Sequence, residues 1–120
     1  MAKNLEIVVL LDFYGEMLTV KQRDFLGYYY NDDLTLSEIA ENEGITRQGV
    51  RDAIKRAEYQ LLEMESKLGY VKRVCEFRDG IAKIVSCADA INEHNLKSGL
   101  SREINDSAVK IQSIALSLFE

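Results

Sequence analysis

Between Thr46 and Ala57 the sequence TRQGVRDAIKRA places Arg47, Arg51 and Lys55 four residues apart, with Gln48, Asp52 and Arg56 beside them. On a helix that spacing stacks side chains along one face. The chemistry open to such a set is recognition of a polyanion. Guanidinium groups pair with guanine, carboxamides pair with adenine, and basic groups at the edge of a contact bind phosphate without reading sequence. Gln48, Arg51 and Asp52 are the candidates for base edges in the major groove of DNA. Arg47, Lys55 and Arg56 are the candidates for phosphate. The competing reading is a solvated basic face. Asp52, Glu58 and the acidic first 45 residues favour it, because phosphate contact dominates affinity and nearby anions oppose it.

A groove-reading helix needs a partner helix crossing it steeply, a small residue at the crossing and a turn residue that tolerates a positive backbone dihedral. Ala40 and Gly44 fit those positions. Ile39, Ile45 and Val50 are expected to lock the two helices together, with Ala53 and Ala57 continuing the inward face. Glu43 stands where an apolar residue is more usual. Gly49 takes a side chain off the recognition helix, at a cost of about 1 kcal/mol in helix propensity.

Other chemistry finds little purchase. His94 is the single histidine, beside an expected loop, and reads as a helix-end residue. Asp32 and Asp33 lack further oxygen donors at loop spacing and read as a solvated turn, so no metal is assigned. Gly44 to Gly49 has the glycine spacing of a phosphate loop, but Val50 and Arg51 replace its Lys and Ser/Thr. Asn105-Asp106-Ser107 fits a glycosylation acceptor, yet nothing directs the chain to secretion. Tyr28, Tyr29 and Tyr30 are suited to core packing, with base stacking on single-stranded RNA as the alternative. No catalytic residue and no cofactor is expected, and the chain is read as no enzyme.

The chain has 120 residues, no proline, seven glycines, 47% hydrophobic and 29% charged residues. That composition suits a helical protein better than a sheet protein rich in turns. The net charge of −5 is unevenly spread. Residues 1–45 carry 3 basic and 9 acidic groups, whereas 46–73 carry 7 and 4. The apolar run Ile7 to Leu11 is too short for a signal peptide core or a membrane span, so a cytoplasmic protein without membrane insertion is expected. Cys75 and Cys87 are twelve apart on one expected helix, cannot pair, and are expected to be buried thiols.

Capping signals divide the chain. Thr19 with Gln22, and Thr35 with Glu38, form capping boxes; Thr46 opens a further helix; Gly44 and Gly69 close two others. Helices are predicted at about 4–14, 20–31, 36–43, 47–68, 70–94 and 102–119. The first is apolar enough to expect cover on more than one side. In the last two, Tyr70, Val74, Phe77, Ile81, Ile84, Ala88 and Ile91, and then Ile104, Ala108, Ile111, Ala115 and Leu118, alternate spacings of four and three. That predicts the seam of an antiparallel hairpin joined across Glu93–Leu100. The expected organisation is a helix-turn-helix module over 1–69 and a C-terminal helical hairpin over 70–120, packed as one compact unit. A second apolar stripe through Val109, Ile114, Leu116 and Phe119 covers either the first helix or a second chain, and a homodimer is expected.

The runs Leu18-Thr19-Val20-Lys21-Gln22-Arg23-Asp24, Leu36-Ser37-Glu38-Ile39-Ala40 and Gly44-Ile45-Thr46-Arg47-Gln48-Gly49-Val50-Arg51 resemble region 4 of bacterial sigma factors, over about 18–65. With the apolar first helix, the Tyr28 to Leu34 segment and the long hairpin, the whole chain resembles the YlxM-like family of small proteins from Gram-positive bacteria. The resemblance implies an all-α fold of the winged-helix-like superfamily, built as a sigma-region-4-like helix-turn-helix with an added C-terminal hairpin. It also implies a regulatory protein without promoter melting, associated with the signal recognition particle pathway. Two functions follow from it: a DNA-binding regulator, or an adaptor that binds the targeting GTPase or its RNA.

Overall fold

A computed structural model describes residues 2–119, which form six α-helices and no strand. Helix α1 spans Leu5–Tyr14 and is followed by a 3-10 turn, Gly15–Met17. Helix α2, Val20–Leu26, runs on into a π-helical turn, Gly27–Asn31. Then come α3 (Leu36–Glu43), α4 (Arg47–Leu68), α5 (Tyr70–Ser98) and α6 (Arg102–Ser117). The fold is all-α. It divides into two compact units between Val71 and Lys72.

The local signals place the ends of these helices. Thr19 and Thr35 each accept from the backbone N–H three residues on, and Gln22 and Glu38 return the bond to the cap's own N–H. Both capping boxes therefore form as read. Gly44 and Gly69 end α3 and α4 at φ 68° and 59°, a conformation that a side chain would strain.

The core of the first unit centres on α4. Val50, Ile54, Ala57 and Leu61 are fully buried on its inner face, against Ile7, Leu10, Leu26 and Ile39 from α1, α2 and α3. Ile54 and Leu61 lie outside the expected set of inward residues, although they continue the 3.6-residue period of Val50. One prediction is refined here and one corrected. Helix α1 buries Ile7, Leu10, Leu11 and Tyr14 and half-buries Val8 and Phe13, so its cover is broad, but it leaves Leu5 77% and Val9 41% exposed on the remaining side. Ile45 is 41% exposed and covers the start of α4 without locking into the core.

Three tyrosine contacts tie the unit together. The Tyr14 hydroxyl donates to Glu65 Oε1 at 2.5 Å, and the same oxygen accepts from the Val71 N–H at 3.1 Å. Burial pushes the Tyr14 phenol up, and the Glu65 carboxylate adds to the shift. Tyr29 is buried, with Tyr30 edge-on to it at 5.2 Å and the Lys3 ammonium 4.7 Å from its ring centroid. Lys3 also pairs with Asp33 at 2.6 Å and holds that carboxyl below its ordinary value. The tyrosine run thus belongs mainly to the core.

The second unit is an antiparallel hairpin whose contact line differs from the predicted seam. Ile81, Ala88 and Asn95 of α5, with Ala108 and Ala115 of α6, are buried, flanked by half-buried Val85, Asn92, Asn105 and Gln112. Phe77, Ile84, Ile91, Ile104, Ile111 and Leu118 lie one step round and stay between 41% and 52% exposed. The alanines explain the shift: small residues let two helices approach closely, and the larger side chains are then left outside the contact. The Gln112 amide crosses to the Val85 carbonyl and to Asp89. Helix α5 also runs to Ser98, so the connection is only Gly99–Ser101. Asn95 closes it by donating to the Ser101 carbonyl at 2.9 Å and accepting from the Ser101 N–H at 3.0 Å. Cys75 and Cys87 fall outside the contact line and are exposed free thiols, contrary to expectation.

Candidate nucleic-acid interface

The turn that presents α4 is made by three residues, Gly44–Thr46. Gly44 and Ile45 both send their N–H groups back to the Ala40 carbonyl, closing α3. Thr46 then accepts from the Gly49 N–H at 3.0 Å and starts α4. Ala40, 7% exposed, is the small residue at the crossing.

This geometry settles what Gly49 does. A Cβ built there would lie 3.1 Å from the Thr46 hydroxyl and 3.8 Å from Ile45 Cδ1. The absent side chain therefore points at the cap and the turn, and its absence takes nothing from the outward face of α4. The sequence reading of Gly49 as a missing reader is corrected on that point.

Exposed Gln48, Asp52 and Lys55 lie opposite the buried line of Val50, Ile54, Ala57 and Leu61, with exposed Arg56 on one flank, half-buried Arg51 on the other, and exposed Arg47 in the first turn beyond Arg51. All six sequence candidates thus lie in the first three turns, spread over about half of the helix circumference from Arg47 round to Arg56. The ion pairs found among the described residues, Lys3 with Asp33 and Lys67 with Glu63, take up none of these cations. The macrodipole of α4 puts its positive end at Arg47 and Gln48, adding to the local potential.

The two acidic residues of this stretch differ in role. Glu58 accepts a 2.7 Å hydrogen bond from the Tyr30 hydroxyl, which turns it toward the core. Tyr30 in turn accepts from the Asn4 N–H at 3.3 Å. Its phenol is pushed up to about 12, chiefly by burial, with Glu58 adding to the rise and Asn4 working against it. Asp52 stays outside and accepts from the Gln48 amide at 2.9 Å. One N–H of Gln48 is thereby held, while its second N–H and its carbonyl keep the pairing pattern an adenine edge requires.

Sequence reasoning passed over Tyr59. It is 65% exposed, one turn beyond Lys55 and three turns beyond Gln48 on the same face. That eleven-residue spacing was its only signal.

A family model described as "Putative helix-turn-helix protein, YlxM / p13 like" matches residues 1–114, from α1 into α6. The chain belongs to the UPF0122 family. Among its UPF0122 relatives, the protein of Thermoanaerobacter sp. (strain X514) is 40% identical over 110 residues, 92% of this chain and 94% of that relative. The protein of Caldanaerobacter subterraneus subsp. tengcongensis is 49% identical over 81 residues, 68% and 69% of the two chains. That of Desulforamulus reducens is 37% identical over 97 residues, covering 81% and 83%. The α3–turn–α4 arrangement is the helix-turn-helix that the UPF0122 description names. Among the described residues no His, Cys, Asp or Glu group of three or more could hold a metal ion, and no helix is long and apolar enough to cross a membrane.

Proposed function

We propose that this UPF0122 protein is a nucleic-acid-binding regulator that lays α4 into the major groove of duplex DNA. The observation that carries the reading is the set of four basic side chains, Arg47, Arg51, Lys55 and Arg56, gathered in the first three turns of a helix that Gly44, Ala40 and Val50 fix in place. Gln48 and Arg51 read base edges, and Asp52 orients the Gln48 amide. Arg47, Lys55 and Arg56 bind phosphate. The protein acts by binding rather than by catalysis and works in the cytoplasm. Its organisation is a reading module over 1–69 joined to a dimerising hairpin over 70–120. Titration of labelled duplex DNA across a range of salt tests it: binding that weakens with salt, and more so on removal of these cations, supports the reading. No binding at low salt defeats it.

A second reading rests on the acidic residues of the first half of the chain. Glu6, Asp12, Glu16, Asp24, Asp32 and Glu41 are all exposed, so the first half of the chain offers an acidic surface to a basic partner. On this reading the protein is an adaptor in the signal recognition particle pathway: the acidic surface suits basic groups of the targeting GTPase, and the α4 cations suit its RNA. Separate pull-downs with that GTPase and with that RNA decide it. Retention by either supports the adaptor, and failure of both removes it.

A further inference from the structure

The outward line of α4 does not end with its last cation. Gln48, Asp52, Lys55 and Tyr59 project within about 60° of one another, opposite buried Val50, Ile54, Ala57 and Leu61. Tyr59 is 65% exposed, and no hydrogen bond or ring contact engages it among the described residues. The other five tyrosines all serve packing. Tyr14 and Tyr29 are buried, Tyr28 and Tyr30 pack against the core, and Tyr70 stands edge-on to Phe13 at 5.8 Å.

We infer that Tyr59 is a further DNA contact, its hydroxyl donating to a phosphate of the strand at which α4 leaves the major groove. The inference rests on the proposed reading of α4 and adds a neutral contact to its cations. Position along the helix selects phosphate over base. In a helix-turn-helix the N-terminal residues of the recognition helix meet base edges. From Arg47 to Lys55 the helix rises ~12 Å, as much as the major groove is wide. With Gln48 and Arg51 at base edges, the third turn already meets the flanking strand, and Tyr59, ~6 Å further on, is past the bases.

The charges around Tyr59 leave it open to an anion. Lys55 lies one turn before it on the same face, and Arg56 three residues before it. Of the two carboxylates nearest along α4, Glu58 accepts from the Tyr30 hydroxyl at 2.7 Å and Glu63 is paired with Lys67 at 3.2 Å. Neither stands unpaired beside the ring. A phenol brings one O–H that donates to a phosphate oxygen, and no charge with which to release counterions. Its contact therefore supports affinity at every salt concentration and for every sequence. That separates it both from the cations and from Gln48.

Fluorescence anisotropy of labelled duplex DNA with the full chain and with Tyr59→Phe tests it, thermal melts serving as the control for folding. Loss of the hydroxyl should weaken binding about three- to tenfold, equally for all duplexes and with the slope of log affinity against log salt unchanged. Tyr59→Lys should restore the affinity and steepen that slope by about 0.9, the value for one added phosphate contact. Gln60→Lys, the same charge one residue round the helix, should leave the slope as it is. Tyr59→Phe binding as tightly as wild type overturns the inference, as does a loss confined to particular bases. A slope that Tyr59→Lys changes no more than Gln60→Lys overturns the placement of a phosphate at this position. A wild-type chain that binds no duplex at low salt removes the DNA reading and this contact together, whereas unchanged Tyr59→Phe binding by a chain that holds DNA removes the contact alone.

Discussion

Gln48 donates a 2.9 Å hydrogen bond to Asp52 four residues on, and that pair makes an acidic residue part of a basic face. The carboxylate both orients the amide and repels phosphate, and two substitutions separate those effects. Asp52→Asn keeps an acceptor for Gln48 and removes the charge, so affinity for every duplex should rise several-fold at low salt with sequence preference kept. Asp52→Ala removes the acceptor too and should flatten the preference at one base position, by about 1 kcal/mol. Fluorescence anisotropy against a panel of single-base variants of a bound duplex measures both.

Tyr30 makes stability depend on pH at the alkaline end. Its phenol titrates near 12 in the folded chain and near 10 when unfolded. Below pH 10 both states hold the proton and the contribution is constant. Between 10 and 12 the unfolded chain releases the proton while the folded chain keeps it, so stability falls as pH rises. Tyr30→Phe should cost about 1–2 kcal/mol at neutral pH by removing the bond to Glu58, and should flatten the decline above pH 10. Urea midpoints of both chains from pH 7 to 12 show whether it does; parallel curves would contradict the assignment.

Gly49→Ala should leave duplex binding unchanged and raise stability by about 0.5 kcal/mol. The gain in helix propensity is about 1 kcal/mol. The 3.1 Å approach of the new Cβ to the Thr46 hydroxyl takes back part of it, since Thr46 is exposed and can shift by a few tenths of an ångström. Thermal melts with parallel DNA titrations check both halves. Loss of binding without loss of stability would restore a recognition role to this position.

Asn95 is the clasp of the hairpin, bonded to both backbone groups of Ser101. Asn95→Ala leaves those groups without their side-chain partner and should cost about 2 kcal/mol. Hydrogen exchange should rise in the last turn of α5 and the first of α6, while the amides of α4 keep their protection. Uniform loss of protection through both units would contradict a local clasp.

The parts of this fold that are legible in the sequence are those set within four or five residues. Thr19 with Gln22, Thr35 with Glu38, and Gly44 before Thr46 each carry their own geometry, so the helix ends and the turn of the helix-turn-helix could be read directly. The hairpin seam could not. Ile81 and Ile84, or Ala88 and Ile91, satisfy the same four-and-three pattern on neighbouring lines, and only packing decides which faces the partner helix. The alanines won that contact, which turned the large aliphatic residues and both cysteines outward. Within the candidate interface, residue types and spacing gave the six side chains. The Gln48–Asp52 bond, the withdrawal of Glu58 to Tyr30 and the direction of the missing Gly49 side chain depend on rotamers and on residues distant in sequence.

Whether α4 binds duplex DNA through its cations is decided by salt-dependent titration of the wild-type chain against Arg47→Ala/Lys55→Ala/Arg56→Ala. If the three residues neutralise phosphates, the triple variant should bind all duplexes more weakly and the slope of log affinity against log salt should fall by about 3, roughly 0.9 for each phosphate left without its cation. An unchanged slope, or a wild-type chain that binds no duplex at low salt, would show that these cations do not hold DNA.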